Sequence, residues 1–295
     1  MLLSIVSAQT GATVASQLFA DLPPAVVVFF RQLLTGLVLA AGAGRRLRSV
    51  SGRALGNAVV FGAVMSGMNL CFYESVARLP LALAVTVELC GPLALSLALS
   101  RRRADVAWAG VALVGVGLIR LESLGQGGSG LGLLLAGIAG ACWAMYILAN
   151  RRLGQAGDGV ASLAVGMLAA SAFTSPFALA HGLSPAFHTD RMIRLAMIAA
   201  LGALVPFCAE LGALRRLRAR SVALLLTLSP VVAALVARIR LGQSLEPVQV
   251  IGMALVVVTS LAVVRTTSTD DHRHAEPVDL PNEATAGSGA PAPAA

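Results

Sequence analysis

The 295-residue sequence contains no lysine, and aromatic and charged residues make up only 4% and 12% of it. Soluble domains carry about 25% charged residues, so this composition argues against a soluble globular protein. The four cysteines form no CxxC pair and no metal-ligand spacing, so neither a cysteine redox centre nor a metal site is predicted. The sequence also has no HExxH, no GxSxG and no nucleotide-binding loop, and it therefore predicts neither an enzyme nor a bound cofactor.

Long apolar runs are what the sequence has in abundance. Hydrophobic residues make up 57% of the chain, and the mean hydropathy is +0.82. The apolar runs are about 20 residues long, which is the length that a helix needs to cross about 30 Å of hydrocarbon. The sequence therefore predicts an all-α membrane protein with ten transmembrane helices, at about residues 2–19, 24–43, 55–77, 81–100, 105–121, 131–149, 160–181, 192–213, 221–239 and 247–264.

The arginines predict the orientation of these helices. With ten spans, the loops that share a side with the C-terminal tail carry fifteen arginines, tail included, and the opposite loops carry six. By the positive-inside rule, both termini are predicted to lie in the cytoplasm. Because the arginines stand at span ends, the net charge of +8 predicts no nucleic-acid partner. Residues 265–295 are polar and rich in Pro, Ala and Gly, which predicts a disordered cytoplasmic tail.

Two halves of the sequence share a register. The segment SVARLPLALAVTVELCGPLALSLAL aligns with ALRRLRARSVALLLTLSPVVAALVA, so that Pro92 falls on Pro230. This predicts one five-helix unit over residues 1–121 and a second over 129–264. Because five is odd, the second unit enters the membrane from the opposite side, and such inverted repeats are typical of secondary transporters that bind substrate near the midplane. Gly91, Pro92 and Pro230 are predicted helix breaks beside that site.

A carboxylate stands in one of the most apolar stretches, ALAVTVELCGPLAL. Burying a charge within a membrane span costs roughly 2.5–3.5 kcal/mol on insertion scales, so such a group normally faces a cavity or a partner. Glu88 lies one helical turn before Pro92, where a loosened helix exposes polar backbone. We therefore predict that Glu88 lines a wet central path and there takes up a proton or meets a substrate ammonium group.

Three further charges fall in or near spans. Arg31 in VVFFRQLLTG is either a carboxylate-binding residue or the ion partner of Glu88 or Glu210, and the ion pair is slightly favoured. Glu210 in PFCAELGALRR serves the central path or forms a surface pair with the arginines that follow it, with no preference between the two. Glu74 is predicted to be solvated or paired with Arg78.

Five neutral side chains complete the candidate site: Gln9, Asn69, Tyr73, Trp143 and Tyr146. The two aromatic residues of the sixth run are three apart and share a helix face. They lie deep within the predicted span, where a cavity wall and packing between helices are equally plausible roles.

Three segments resemble a known family. GMNLCFYESVARLPLALAVTVELCGPLALSLALSRRR, GACWAMYILANRRLG and LGQSLEPVQVIGMALVV are similar to the EamA-like carriers of the drug/metabolite transporter superfamily, and among them to the inner-membrane exporters of threonine and homoserine. The resemblance implies a ten-helix, two-repeat carrier of the inner membrane that exports small amino acids in exchange for protons. It implies site roles for Gln9, Asn69, Tyr73, Glu88, Gly91, Pro92, Trp143, Tyr146 and Glu210.

Two positions depart from the family pattern. LGQ replaces the usual LGE before the last helix, which favours a structural role for Gln243, and Glu74 replaces an apolar residue, which leaves the cargo open. The favoured hypothesis is a proton-coupled exporter of threonine, homoserine or similar amino acids. The alternatives are a carrier of the same superfamily for another metabolite or a cationic drug, and a channel. The oligomeric state is not predicted.

Overall fold

A computed structural model describes residues 2–99, 107–108, 110–118, 129–154, 159–214, 227–243 and 245–273. These residues form helices and turns, with no strand among them. Short 3-10 helices occupy Gly44–Ser49 and Ser184–Phe187, and a π-helical turn, Ala200–Leu204, joins two α-helices. The α-helices are α1 (Leu2–Leu18), α2 (Pro24–Ala43), α3 (Gly52–Val76), α4 (Leu81–Leu99), α5 (Gly130–Gly154), α6 (Gly159–Ala180), α7 (Thr189–Ala199), α8 (Val205–Leu214), α9 (Ser229–Leu241) and α10 (Pro247–Arg273).

Five helical segments of the described chain are long and apolar enough to cross a membrane: Pro24–Arg48, Gly52–Val76, Gly130–Ala149, Gly159–Ala180 and Thr189–Ala209. Shorter apolar stretches lie in α4 and α10, at Leu81–Leu95 and Pro247–Ala262. The predicted fifth run is described only at 107–108 and 110–118, and the first part of the ninth lies outside the described residues. Large apolar side chains are exposed on the outer faces, with Leu113 and Ile239 at 72% and 71%, as lipid contact requires.

The C-terminal helix extends beyond the predicted boundary at residue 264. α10 continues to Arg273. Extending an existing helix is more favourable than starting one, because each added residue gains a hydrogen bond to the preceding turn. The remainder of the predicted tail lies outside the described residues.

The predicted helix breaks differ in kind. Pro92 lies inside α4, which continues on both sides of it, so α4 is loosened and not interrupted. Pro230 stands in the first turn of α9, after turn residues 227–228, where the missing N–H of a proline costs nothing.

The turn between α9 and α10 holds the start of α4. Gly242 ends α9 with φ +65°, a left-handed conformation that glycine adopts without strain. The next residue, Gln243, accepts a hydrogen bond through Oε1 from the Leu81 backbone N–H, at 3.3 Å. Leu81 is the first residue of α4, so its N–H has no partner within the helix. This contact supplies the structural role that the sequence predicts for Gln243.

Glycines allow two helices to touch backbone to backbone. A Cβ on Gly91 in α4 would lie 1.8 Å from the Gly140 carbonyl oxygen in α5, and a Cβ on Gly140 would lie 2.6 Å from the Glu88 carbonyl oxygen. Neither position tolerates a side chain without separating α4 from α5. Gly91 therefore serves a close helix crossing beside Glu88.

We expect Gly140→Ala to destabilise the protein, because the new methyl group collides with backbone and overpacking typically costs about 1–3 kcal/mol. Gly137→Ala on the same helix is the matched control, since a Cβ there meets nothing within 4 Å. Helix propensity should make this control neutral or slightly stabilising. The measurement is the apparent melting temperature of each variant in detergent, and equal values for both variants would contradict the close crossing.

Candidate functional site

Arg31 is the centre of the candidate site. It projects from α2, and its Nη1 donates a hydrogen bond to Asn69 Oδ1 on α3. Its Nη2 donates to the Gly202 carbonyl oxygen at 2.6 Å, and its guanidinium lies 5.6 Å from the centroid of the Tyr73 ring. Asn69 is itself held by a 2.8 Å bond from Nδ2 to the Met65 carbonyl oxygen. Arg31 thus joins three helical segments that are distant in sequence.

The carbonyl that Arg31 reaches lies shortly before a proline. Pro206 has no N–H and so supplies no backbone donor to the π-helical turn before it. The Gly202 carbonyl lies in that turn. The neighbouring Leu201 carbonyl accepts a 2.8 Å bond from the Ser7 hydroxyl of α1. The turn therefore offers two carbonyls to side chains from other helices.

Close approach of α1 completes this contact. A Cβ on Gly11 would lie 2.6 Å from the Gly202 backbone N, and a Cβ on Gly202 would lie 3.2 Å from Arg31 Nε. Gly11 is therefore needed for α1 to approach the π-helical turn, and the Arg31 side chain packs closely against Gly202. π-helical turns occur frequently at functional sites.

Arg31 and Glu88 stand at matching positions within their helices. Each is seven residues from the first residue of its helix, Pro24 or Leu81, which corresponds to about 10 Å along the axis. Both side chains are partly exposed, and Glu88 is within electrostatic range of Arg31. The two described side chains do not form an ion pair, which leaves the predicted Arg31–Glu88 pair unmade in this conformation. The acidic and the basic side chain are therefore not paired with each other in this conformation.

Pro92 acts on α4 as Pro206 does on α8. The carbonyl four residues before it is that of Glu88, which consequently lacks its helical donor. This oxygen lies against Gly140 of α5. Glu88 therefore has its acid side chain and a carbonyl without a helical donor at the same level of α4.

The other predicted residues are distributed around this centre. Gln9 is buried in α1, two residues after Ser7. Tyr146 packs against Phe61 of α3 with ring centroids 5.4 Å apart, which places it between helices. Trp143 is partly exposed on α5. Glu210 lies in α8, and its side chain is outside the described residues.

Glu74 belongs to a different environment. Its carboxylate pairs with Arg78 one turn later, and both side chains are partly exposed, at 28% and 35%. The predicted Arg78-paired role of Glu74 is confirmed.

A second polar cluster was not predicted. The Thr174 hydroxyl of α6 donates to Gln32 Oε1 of α2 at 2.6 Å, and the hydroxyls of Thr174 and Ser66 of α3 are 2.8 Å apart. All three residues are buried. Each is an isolated neutral residue in an apolar run, so the sequence carries no signal that they meet. Gly202 and Ser7 were missed for the same reason.

Comparisons with known proteins agree with this architecture. The sequence profile of the EamA-like transporter family matches residues 130–265. The threonine/homoserine exporter RhtA of Escherichia coli strain K12 is 34% identical over 265 residues, which cover 88% of each chain. RhtA of Salmonella typhimurium strain LT2 is also 34% identical, with the same coverage.

One crystal structure of another protein superposes with a TM-score of 0.60 over 90% of this chain and 96% of the other. At 20% identity it shows a shared fold and nothing further. Together with the five long apolar helices, the sequence matches identify a multi-pass membrane protein.

We expect Asn69→Leu to destabilise the protein by about 1–3 kcal/mol, because it leaves a buried donor of Arg31 without its acceptor. Thr86→Val is the matched control, since the Thr86 hydroxyl bonds only within its own helix, to the Ala82 carbonyl at 2.6 Å. The apparent melting temperature in detergent should fall for the first variant and stay near wild type for the second. Equal stability of both variants would show that the Asn69 bond does not hold Arg31.

Proposed function

We propose that this chain, which belongs to the EamA-like transporter family, is a secondary active exporter of small polar amino acids of the threonine and homoserine type. The observation that carries the proposal is the 34% identity to threonine/homoserine exporters across 88% of both chains. The agreement extends over nearly the whole length of both chains.

The charges of the site favour an amino acid over the alternative cargo, a cationic drug. A site with Glu88 alone suits a cation, as does an aromatic wall. The guanidinium of Arg31 lies within electrostatic range of that carboxylate and offsets its charge. A zwitterion complements one positive and one negative group together, whereas a cation is repelled by the first of them.

We further propose that the chain consists of two inverted five-helix units, with segment 110–118 as the fifth helix. The family profile begins and ends within one residue of the predicted second unit, 129–264. The contacts between helices of the two units also form equivalent pairs. Interchanging the units converts the α3–α5 contact into the contact of α1 with α7 and α8. It likewise converts the α4–α5 contact into the α1–α9 contact and the α3–α6 contact into the α2–α7 contact. Such pairing supports a twofold relation between the units.

In this arrangement both termini lie in the cytoplasm and the protein resides in the inner membrane. The exposed arginines of the Gly44–Ser49 turn, Arg45, Arg46 and Arg48, then face the cytoplasm. Export in exchange for protons is the proposed driving reaction. One charge that crosses 100 mV releases about 2.3 kcal/mol, which sustains roughly a fiftyfold concentration gradient. Glu88 is the proposed proton-binding group.

We expect Glu88→Gln to abolish proton-linked threonine uptake into inside-out vesicles while the protein remains in the membrane. The amide has nearly the shape of the acid but takes up no proton, so an imposed proton gradient should lose its effect. Glu74→Gln is the matched control, because Glu74 is a carboxylate paired with Arg78 near a helix end. The measurement is labelled threonine uptake with and without the gradient, at equal protein abundance. Normal gradient-driven uptake by Glu88→Gln would remove this carboxylate from the coupling.

We expect vesicles preloaded with unlabelled threonine to accumulate labelled threonine transiently above its equilibrium level. A carrier exchanges substrate between the two sides of the membrane through one site, whereas a channel cannot drive such uphill uptake. Preloading with homoserine should support the same counterflow, and preloading with a cationic drug should not. Equilibration without overshoot would indicate a channel, and no uptake of labelled threonine under any preload would contradict the proposed cargo.

A further inference from the structure

We infer that Arg31 binds the carboxylate of the transported molecule, so that a free carboxylate is a condition of transport. The inference rests on the proposed function and specifies which part of the cargo Arg31 recognises. It depends on what the three guanidinium nitrogens, Nη1, Nη2 and Nε, contact in the structure.

The contacts of Arg31 are all neutral in the described part of the chain. Nη1 donates to an amide oxygen of Asn69, and Nη2 donates to a backbone carbonyl of Gly202. Three other arginines that the structure describes each bond a carboxylate: Arg78 that of Glu74, Arg191 that of Asp21 and Arg194 that of Asp190. Arg31 is thus oriented by hydrogen bonds, and no acidic side chain that the structure describes neutralises its charge by direct contact.

The third nitrogen of the Arg31 guanidinium is unpaired within the described ranges. Its Nε is buried and has no hydrogen-bond partner among the described residues. A buried donor without an acceptor costs about 1–3 kcal/mol, so an arriving acceptor recovers that free energy. Guanidinium presents its donors in a planar fork that matches the two oxygens of a carboxylate, and such charge-assisted bonds are about twice as strong as neutral ones. A carboxylate therefore competes effectively with the amide and the carbonyl for Arg31.

Glu88 supplies the complementary end. Among the described side chains, Glu88 and Arg31 form no ion pair, so the two groups lie further apart than a direct ionic contact. An α-amino acid carries its carboxylate and its ammonium group on one carbon and can engage both. A cargo that keeps the ammonium group but lacks the carboxylate leaves Arg31 with only neutral acceptors. The site then gains no charge-assisted bond from that cargo, and affinity falls.

The test is competition against labelled threonine in inside-out vesicles that contain the wild-type protein. The competitors are unlabelled threonine, threonine amide and the corresponding amino alcohol, all of which retain the ammonium group and the side-chain hydroxyl. We expect the two carboxylate-free compounds to need at least about tenfold higher concentrations for half-inhibition, the loss expected for one charge-assisted hydrogen bond. Inhibition by the amide within threefold of threonine would overturn the inference and leave the exporter proposal standing. Absence of any threonine transport would overturn the exporter proposal and the inference with it.

Variants separate recognition from a structural role. Arg31→Gln is expected to raise the KM for threonine at least about tenfold and to erase the discrimination between threonine and its amide. Arg31→Lys keeps the charge without the fork and should retain part of that discrimination. Arg194→Gln is the matched control, because Arg194 is an exposed arginine paired with Asp190 within its own helix. A purely structural Arg31 would lower abundance or maximal rate and leave the ratio between the two competitors unchanged, which overturns the inference. If Arg31→Gln fails to fold, the wild-type competition still decides between the two outcomes.

Discussion

The hydrogen bond from Arg31 to the Gly202 carbonyl ties together most of what is specific about this protein. A guanidinium within a membrane span is costly unless polar groups surround it, and helical backbone normally offers none, because each carbonyl is already bonded within its own helix. The π-helical turn and Pro206 interrupt that regular bonding locally, and the Gly202 carbonyl in this turn accepts from a side chain of another helix. This oxygen holds Arg31, and Asn69 and Tyr73 complete its surroundings. The charge of Arg31 is thus accommodated by the irregular backbone of the π-helical turn.

The same logic operates around Glu88. Pro92 withholds the donor of the Glu88 carbonyl, and glycine at residues 91 and 140 lets α5 approach this loosened backbone directly. Each of the two membrane charges is therefore associated with a proline that relaxes the helix beside it. Among the described side chains, these two groups form no ion pair with each other. In the proposed function, one basic and one acidic group together complement a zwitterion.

Several elements follow from the residue pattern with little ambiguity. Apolar runs give the positions of α2, α3, α5 and α6 to within a few residues, because run length and hydrophobicity are local properties. Glu88 stands out because a single acidic residue within a long apolar segment is energetically costly. By contrast, Gln32 and Thr174 are common neutral residues in ordinary apolar contexts, and their buried bond depends on two helices 142 positions apart. The π-helical turn at Ala200–Leu204 is equally invisible, since nothing in ALGAL distinguishes it from α-helix.

Class, approximate spans and the presence of unusual charges are thus readable from the order of the residues, because each depends on hydrophobicity and hydrogen-bonding capacity along a short stretch of chain. The partner of each charged side chain cannot be read from the order of the residues. Arg31 has three candidate roles on sequence grounds, and within the described part of the chain it bonds two neutral acceptors and not Glu88. That outcome depends on where Gly11, Gly202 and Pro206 let α1, α2 and the π-helical turn converge. Such convergence is set by steric fit among distant segments, which no local pattern encodes.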